Sequence, residues 1–215
     1  MKNILFLSIF FFLLTNVHAD EFLYGLLDEK QGSKDHTGWY LGGKAGQAST
    51  ELGWVDKPYT TENTSTVGGV YFGYNVNAWF GLEAEISYTD SAGNGLFNRG
   101  IVESAGISAL RIQPKFTYQM NDSFAFIFKG GLYSASYSMY PTDAARMTFK
   151  LDTIEYWSGM GLTAGIGLQI SVTKCLNIRA VFDSSSAELE YEGEAELSNI
   201  NAIVNEYSFG LHYQF

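Results

Sequence analysis

The chain holds one cysteine, Cys175, which excludes an internal disulfide framework and a cysteine-based zinc site. Proline is nearly as scarce, three in 215 residues, so long extended segments run uninterrupted. Charge is thin as well: Asp, Glu, Lys and Arg make up 17%, and 13 Lys and Arg stand against 23 Asp and Glu, a formal net charge of −10. An acidic chain without a basic stripe repels a phosphate backbone, which argues against nucleic acid as a partner. After residue 19 no apolar run reaches the length of a membrane-spanning helix. What is abundant is different: 46% hydrophobic residues, 16% aromatics and 23 glycines. That balance predicts one aromatic, turn-rich β domain, ordered over most of the chain.

The first nineteen residues read as a secretory signal. Lys2 supplies the positive start, residues 4–14 (ILFLSIFFFLL) the apolar centre, and Val17-His18-Ala19 a small-residue cleavage site before Asp20. Eleven apolar residues fall short of the roughly 17–25 needed to cross hydrocarbon. Without residues 1–19, which hold Lys2 alone among the charged residues, 12 positive and 23 negative residues remain, or −11. Residues 20–36 are polar and too short for a domain, and are expected to form a short N-terminal tail in preference to a small plug.

From residue 37 onward the signal is period-two alternation, the mark of strands with one apolar face. It is clearest at the end, where Tyr207, Phe209, Leu211, Tyr213 and Phe215 share one parity and Glu206, Ser208, Gly210, His212 and Gln214 the other. The same split runs through Leu82, Ala84, Ile86 and Tyr88, through Leu110, Ile112, Phe116 and Tyr118, through Phe124, Phe126, Phe128 and Leu132, and from Met160 to Val172 on even numbers. Residues 39–48, 67–76 and 176–183 complete eight candidate strands of the length that crosses a tilted barrel wall. Short turns (75–78, 120–123, 173–175) alternate with long connections (49–65, 89–103, 138–153, 184–200). The expected fold is all-β: an eight-stranded antiparallel up-and-down transmembrane β-barrel over residues 37–215.

Alternation alone does not say which face points inward. Gly131, Gly161, Gly165 and Gly167 on the polar parity suit a crowded lumen better than an exterior. The polar-inside arrangement gathers Lys44, Arg111, Lys115, Lys129 and Arg179 with Glu83, Glu85, Asp183 and Glu206, five cations that meet four carboxylates. Pro114 lacks a ladder N–H inside the fourth strand, and a bulge near Gln113 is expected.

The ending Tyr207, Phe209, Leu211, Tyr213, Phe215 resembles the carboxy-terminal assembly signal of bacterial outer-membrane barrels. Gly38-Trp39-Tyr40-Leu41-Gly42-Gly43-Lys44-Ala45-Gly46 is similar to the first strand of the OmpA-like outer-membrane β-barrel domains, which include OmpX-like proteins. Gly73-Tyr74-Asn75 with Trp79-Phe80-Gly81-Leu82-Glu83 looks like that family's first periplasmic turn. The resemblance implies a barrel in a Gram-negative outer membrane with both termini in the periplasm. It implies contact with outer-membrane lipid and lipopolysaccharide, and handling by the barrel assembly machinery. Nothing follows Phe215, so a peptidoglycan-binding domain is not expected here.

Chemistry is not expected. His18 leaves with the signal, while His36 and His212 fall at the periplasmic end, opposite the leaflet that holds lipopolysaccharide. His212 reads as a lumen hydrogen-bonding residue and Cys175 as a bystander thiol, and no cofactor is implied. The alternate acids Glu188, Glu190, Glu192, Glu194 and Glu196 read as a solvated strand face, or as a candidate site for divalent cations or a basic partner. Trp54, Pro58, Tyr59, Tyr137, Met139, Tyr140 and Tyr156 are expected in loops as an interfacial girdle. The expected function is a monomeric envelope-structural barrel whose surface loops engage a protein or host ligand, adhesion-like and without catalysis. The alternatives are a narrow gated ion channel and a lipid A-modifying enzyme.

Overall fold

The computed structural model describes residues 37–55, 60–90, 101–193 and 197–215. The signal segment, the residue 20–36 tail, Pro58, Tyr59, Glu194 and Glu196 lie outside them. Eight antiparallel strands follow one another around a closed barrel: β1 Gly38–Trp54, β2 Thr60–Asn75, β3 Phe80–Asp90, β4 Val102–Gln119, β5 Phe124–Pro141, β6 Glu155–Ser171, β7 Leu176–Tyr191 and β8 Ile200–Gln214. Closure is made by β1 against β8, in register from Tyr40↔Gln214 to Trp54↔Ile200. A closed ladder satisfies backbone groups between strands and leaves no edge, the condition for a sheet to cross lipid. No described helix is long and apolar enough to cross a membrane. The helix α1, Asp143–Phe149, sits in the β5–β6 connection.

The three short turns share one device. Asn77 Oδ1 accepts from the backbone N–H of Trp79 and Phe80 at 3.0 and 2.8 Å, Asn121 Oδ1 from Ser123 and Phe124, both at 2.9 Å, and Thr173 Oγ1 from Cys175 and Leu176 at 3.3 and 3.0 Å. A side-chain oxygen that mimics a backbone turn caps the incoming strand at each place, which is why Asn and Thr stand there.

The strands are longer than expected, up to 18 residues, and much of what reads as long loops is strand. The reason is an inversion of polarity along each strand. On β1 the outward residues run Trp39, Leu41, Gly43, Ala45 and then Gln47, Ser49, Glu51, while the inward ones turn from Lys44 to Ala48 and Leu52. On β5 the outward Phe124, Phe126, Phe128 and Leu132 give way to Ser134, Ser136 and Ser138. Period-two order persists, but its sign flips where the wall leaves lipid for water. The outward apolar stretch on β8, Tyr207 to Phe215, spans roughly 20–25 Å at a strand rise of about 3.3 Å and the usual tilt, matching the apolar band of such barrels. Aromatic rings rim the band: Trp39 with Tyr74 and Trp79 with Phe116 at the short-turn end, Phe182 with Tyr207 at the other.

Two expectations are corrected. Pro114 causes no bulge near Gln113: Leu82↔Pro114 stays in register, and across β5 the pairing lapses after Ile112↔Leu132 and resumes at Lys115↔Lys129 without an extra residue. Gly131 allows this, because a Cβ there would lie 2.2 Å from the Ile112 carbonyl oxygen. The register shift in β4 falls instead between Val102 and Ser104. Tyr137 and Met139 are not girdle residues, since both are fully buried inside the barrel, whereas Tyr140 and Tyr156 do face outward.

The inversion sets a depth test. Leu211→Arg, in the middle of the outward band, is expected to cost about 2–4 kcal/mol in urea unfolding from lipid vesicles. Asn201→Arg, ten residues earlier on the same face and above the band, should stay within about 0.5 kcal/mol.

Candidate functional site

All nine charged residues assigned to the lumen point inward, none more than 7% exposed. Eight of them form one connected network. On β1 Lys44 donates to Glu85 at 2.6 Å and to Glu206. On β4 Arg111 reaches Glu85 at 2.5 Å and Glu206 at 3.2 Å, and its remaining donors meet Ser87 and Ser185. On β5 Lys129 bridges Glu83 at 3.3 Å and Asp183 at 3.2 Å. On β7 Arg179 donates to Glu83 at 2.5 Å and stacks over the Tyr71 ring, 3.3 Å from its centroid. Four cations and four carboxylates meet from six strands, so no member is left with only its own sign for company.

Lys115 is the exception. No carboxylate of the described residues comes within salt-bridge distance of it, and its ammonium lies over the Tyr40 ring, 4.0 Å from the centroid. The expectation that it pairs with a carboxylate is therefore corrected to a cation–π contact.

Below the network lies an aromatic floor that sequence reasoning named only in part. Tyr40, Tyr71 and His212 pack with ring centroids 5.1–6.4 Å apart. The Tyr40 hydroxyl donates to Glu83 at 2.9 Å, and the Tyr71 hydroxyl lies 3.3 Å from His212 Nδ1, which makes His212 the lumen hydrogen-bonding residue it was expected to be. Glycine admits these rings: a Cβ on Gly42 would fall 2.4 Å from the Tyr71 ring, and one on Gly73 2.3 Å from Tyr40. Tyrosines on the polar parity opposite glycines are the signal that would have found the floor.

Above the network the lumen changes character. Leu52, Ile107, Tyr133, Tyr137, Met139, Trp157, Leu189 and Ile200 form a buried apolar plug on the inner face of the strands that extend beyond the band. Tyr137 packs against Trp157 and Trp157 against Tyr191, with centroids 5.5 and 5.0 Å apart. The Trp157 Nε1–H donates to the Ser198 carbonyl at 3.1 Å, which ties the plug to the β7–β8 connection. Of the loop aromatics, Trp54 ends β1 and is half-buried against this plug.

Of the acidic run, two members lie on a strand face. Glu188 and Glu190 project outward from β7 and are exposed, and Glu192 just beyond accepts from the Ser158 hydroxyl. Among the described residues no three acidic, histidine or cysteine side chains converge to hold a metal ion. Tyr207, Phe209, Leu211 and Phe215 face outward and exposed, with Tyr213 beside them. Cys175 lies in the β6–β7 turn.

The network yields a cycle. Glu83→Gln and Arg179→Met are each expected to lower stability by about 3–5 kcal/mol, since each strands a buried partner, while the double variant should lose less than the sum. Unfolding in lipid vesicles reads all three, and equal stability of every variant would reject the network as a structural element.

The OmpA-like transmembrane domain model matches residues 34–214. No curated protein matches the sequence. Among solved structures the barrel is similar to Neisserial surface protein A, at TM-score 0.61 and 12% identity over 83% of this chain and 98% of the other. It is similar to OprG from Pseudomonas aeruginosa, at 0.52 and 13% over 86% and 99%, and to Ail, the attachment invasion locus protein of Yersinia pestis, at 0.50 and 14% over 83% and 99%. At such identities the structures speak for the fold, while the family match spans the barrel from before β1 to the last residue of β8. The chain belongs to the OmpA-like transmembrane domain family, as an outer-membrane barrel of eight strands.

Proposed function

We propose that this protein is a monomeric envelope barrel that stiffens the outer membrane and engages partners through its extracellular connections, without catalysing a reaction. The observation that carries this reading is the two-layer filling of the lumen. A charged layer with four cations matched to four carboxylates lies under an apolar plug, and an ion crossing the barrel would have to part both. An interior of eight strands is just wide enough to be filled by side chains. Function then falls to the outside. There Glu51, Glu62, Asp90, Glu188, Glu190 and Glu192 are exposed above the apolar band, a field that favours a basic partner or divalent cations and opposes polyanions. Ail, by contrast, has been crystallised with a heparin analogue, sucrose octasulfate. Removal of residues 1–19 on export, a periplasmic tail over residues 20–36, delivery to the barrel assembly machinery through the strand ending in Phe215, and lipopolysaccharide at the upper aromatic rim belong to the same reading.

One feature favours a gated channel as the second reading. Glu85 lies within 4 Å of Lys44, Arg111, Lys129 and Arg179, so its carboxylate can trade partners without losing all of them. A lipid A-modifying activity has less behind it, because His212 sits at the lumen floor, away from the outer leaflet.

In planar bilayers the refolded barrel is expected to stay electrically silent while its heat-dependent gel mobility reports a folded state. Stable, discrete openings altered by Glu85→Gln would replace the proposal with the channel, and a changed lipid A mass spectrum in overexpressing cells would replace it with the enzyme.

A further inference from the structure

Lys115 poses a problem that the rest of the lumen has solved. The other four cations match four carboxylates, so Lys115 leaves the interior with one positive charge in excess. It is 2% exposed. Directly across the β4–β5 ladder stands a second lysine, Lys129, and across β3–β4 stands Gly81, which offers no side chain. Like charges opposite one another repel, and Lys129 already directs its ammonium to Glu83 and Asp183. Glu83 is occupied in turn: its oxygens receive Tyr40, Lys129 and Arg179. Two residues along β4 on the same inward face, about 6.6 Å away by strand rise, Gln113 is wholly buried. Neither its amide nitrogen nor its amide oxygen has a hydrogen-bond partner. A buried ammonium whose one described partner is a ring and a buried amide without a partner are each costly, and as successive inward residues of β4 they supply a cation and an N–H donor.

We propose that Lys115 and Gln113 form a binding site for one small monovalent anion of the halide class, chloride in the periplasm. The charge sets the valence, since one negative unit brings the lumen to neutrality and a divalent anion would overshoot. Crowding sets the size, because the neighbouring positions are filled by Tyr40, Lys129 and the Glu83 cluster. The ion enters from the short-turn end, where Thr117 and Gln119 are half-exposed on the same inward face. Once bound it screens Lys115 from Lys129 and holds β4 against β5 next to Pro114, where their pairing lapses.

The test uses the refolded barrel in detergent micelles. Unfolding temperature is compared in sodium chloride, sodium bromide and sodium gluconate at equal ionic strength, gluconate being too large to enter. The wild type is expected to gain with the logarithm of halide concentration and to gain nothing from gluconate. The halide increment should vanish in Lys115→Met and shrink in Gln113→Leu, with Lys115→Met at least as stable as wild type in gluconate. Crystals grown in bromide should show anomalous density at hydrogen-bond distance from Lys115 Nζ, a readout that stands even if a variant fails to fold. Equal unfolding temperatures in halide and gluconate, or bromide found only on the outer surface, would overturn the site and leave Lys115 with the Tyr40 ring alone.

Discussion

A charge removed from water into an eight-stranded barrel has to find its opposite inside, and most of this lumen is arranged around that requirement. Glu83, Glu85, Asp183 and Glu206 come from three strands, and Lys44, Arg111, Lys129 and Arg179 from four. The network therefore ties distant parts of the wall through their side chains as the ladder ties neighbours through their backbones. Truncating one member leaves another without compensation, so the group acts as a unit. The glycines serve the same end. Gly165 faces Asp183 where a Cβ would lie 2.0 Å from its carboxylate oxygen, and Gly42 and Gly73 make room for the tyrosines that support Arg179 and Glu83.

The second organising feature is the exchange of polarity along each strand. Within the band the wall is apolar outside and polar inside, and above it the order reverses to a conventional core with a polar exterior. The part of the barrel above the band is thus built like a water-soluble β-barrel standing on a membrane-spanning one. Trp157, Tyr137 and Leu189 give it a core of its own, and its surface carries serines and acids. Such a rim can change its outer residues without disturbing the buried layers, which suits it to the partner contacts proposed above.

Much of this was legible in the sequence because a barrel strand writes its geometry in steps of two. The eight strands, the three short turns, the closure order and the inward direction of all nine lumen charges follow from parity and spacing. Strand ends were not legible. A pattern that keeps its period but reverses its sign reads as a strand that stops, so residues 49–54, 60–65, 138–141 and 184–191 were expected in connections. Tyr137 and Met139 passed for surface aromatics for the same reason. Pro114 was misjudged because its tolerance depends on Gly131 on the next strand, seventeen residues away.

What the sequence determined by itself is the class of object, an acidic, eight-stranded barrel with a charged interior, because alternation and composition are local properties that need no partner to be seen. What only the tertiary structure decided is who meets whom. It gave Glu83 to Arg179, Lys129 and Tyr40, seated Lys115 on a ring instead of a carboxylate, and closed the lumen with Trp157. Those outcomes depend on the stagger between strands far apart in the chain, and inward-pointing charges show only that partners are needed, not which ones stand across the barrel.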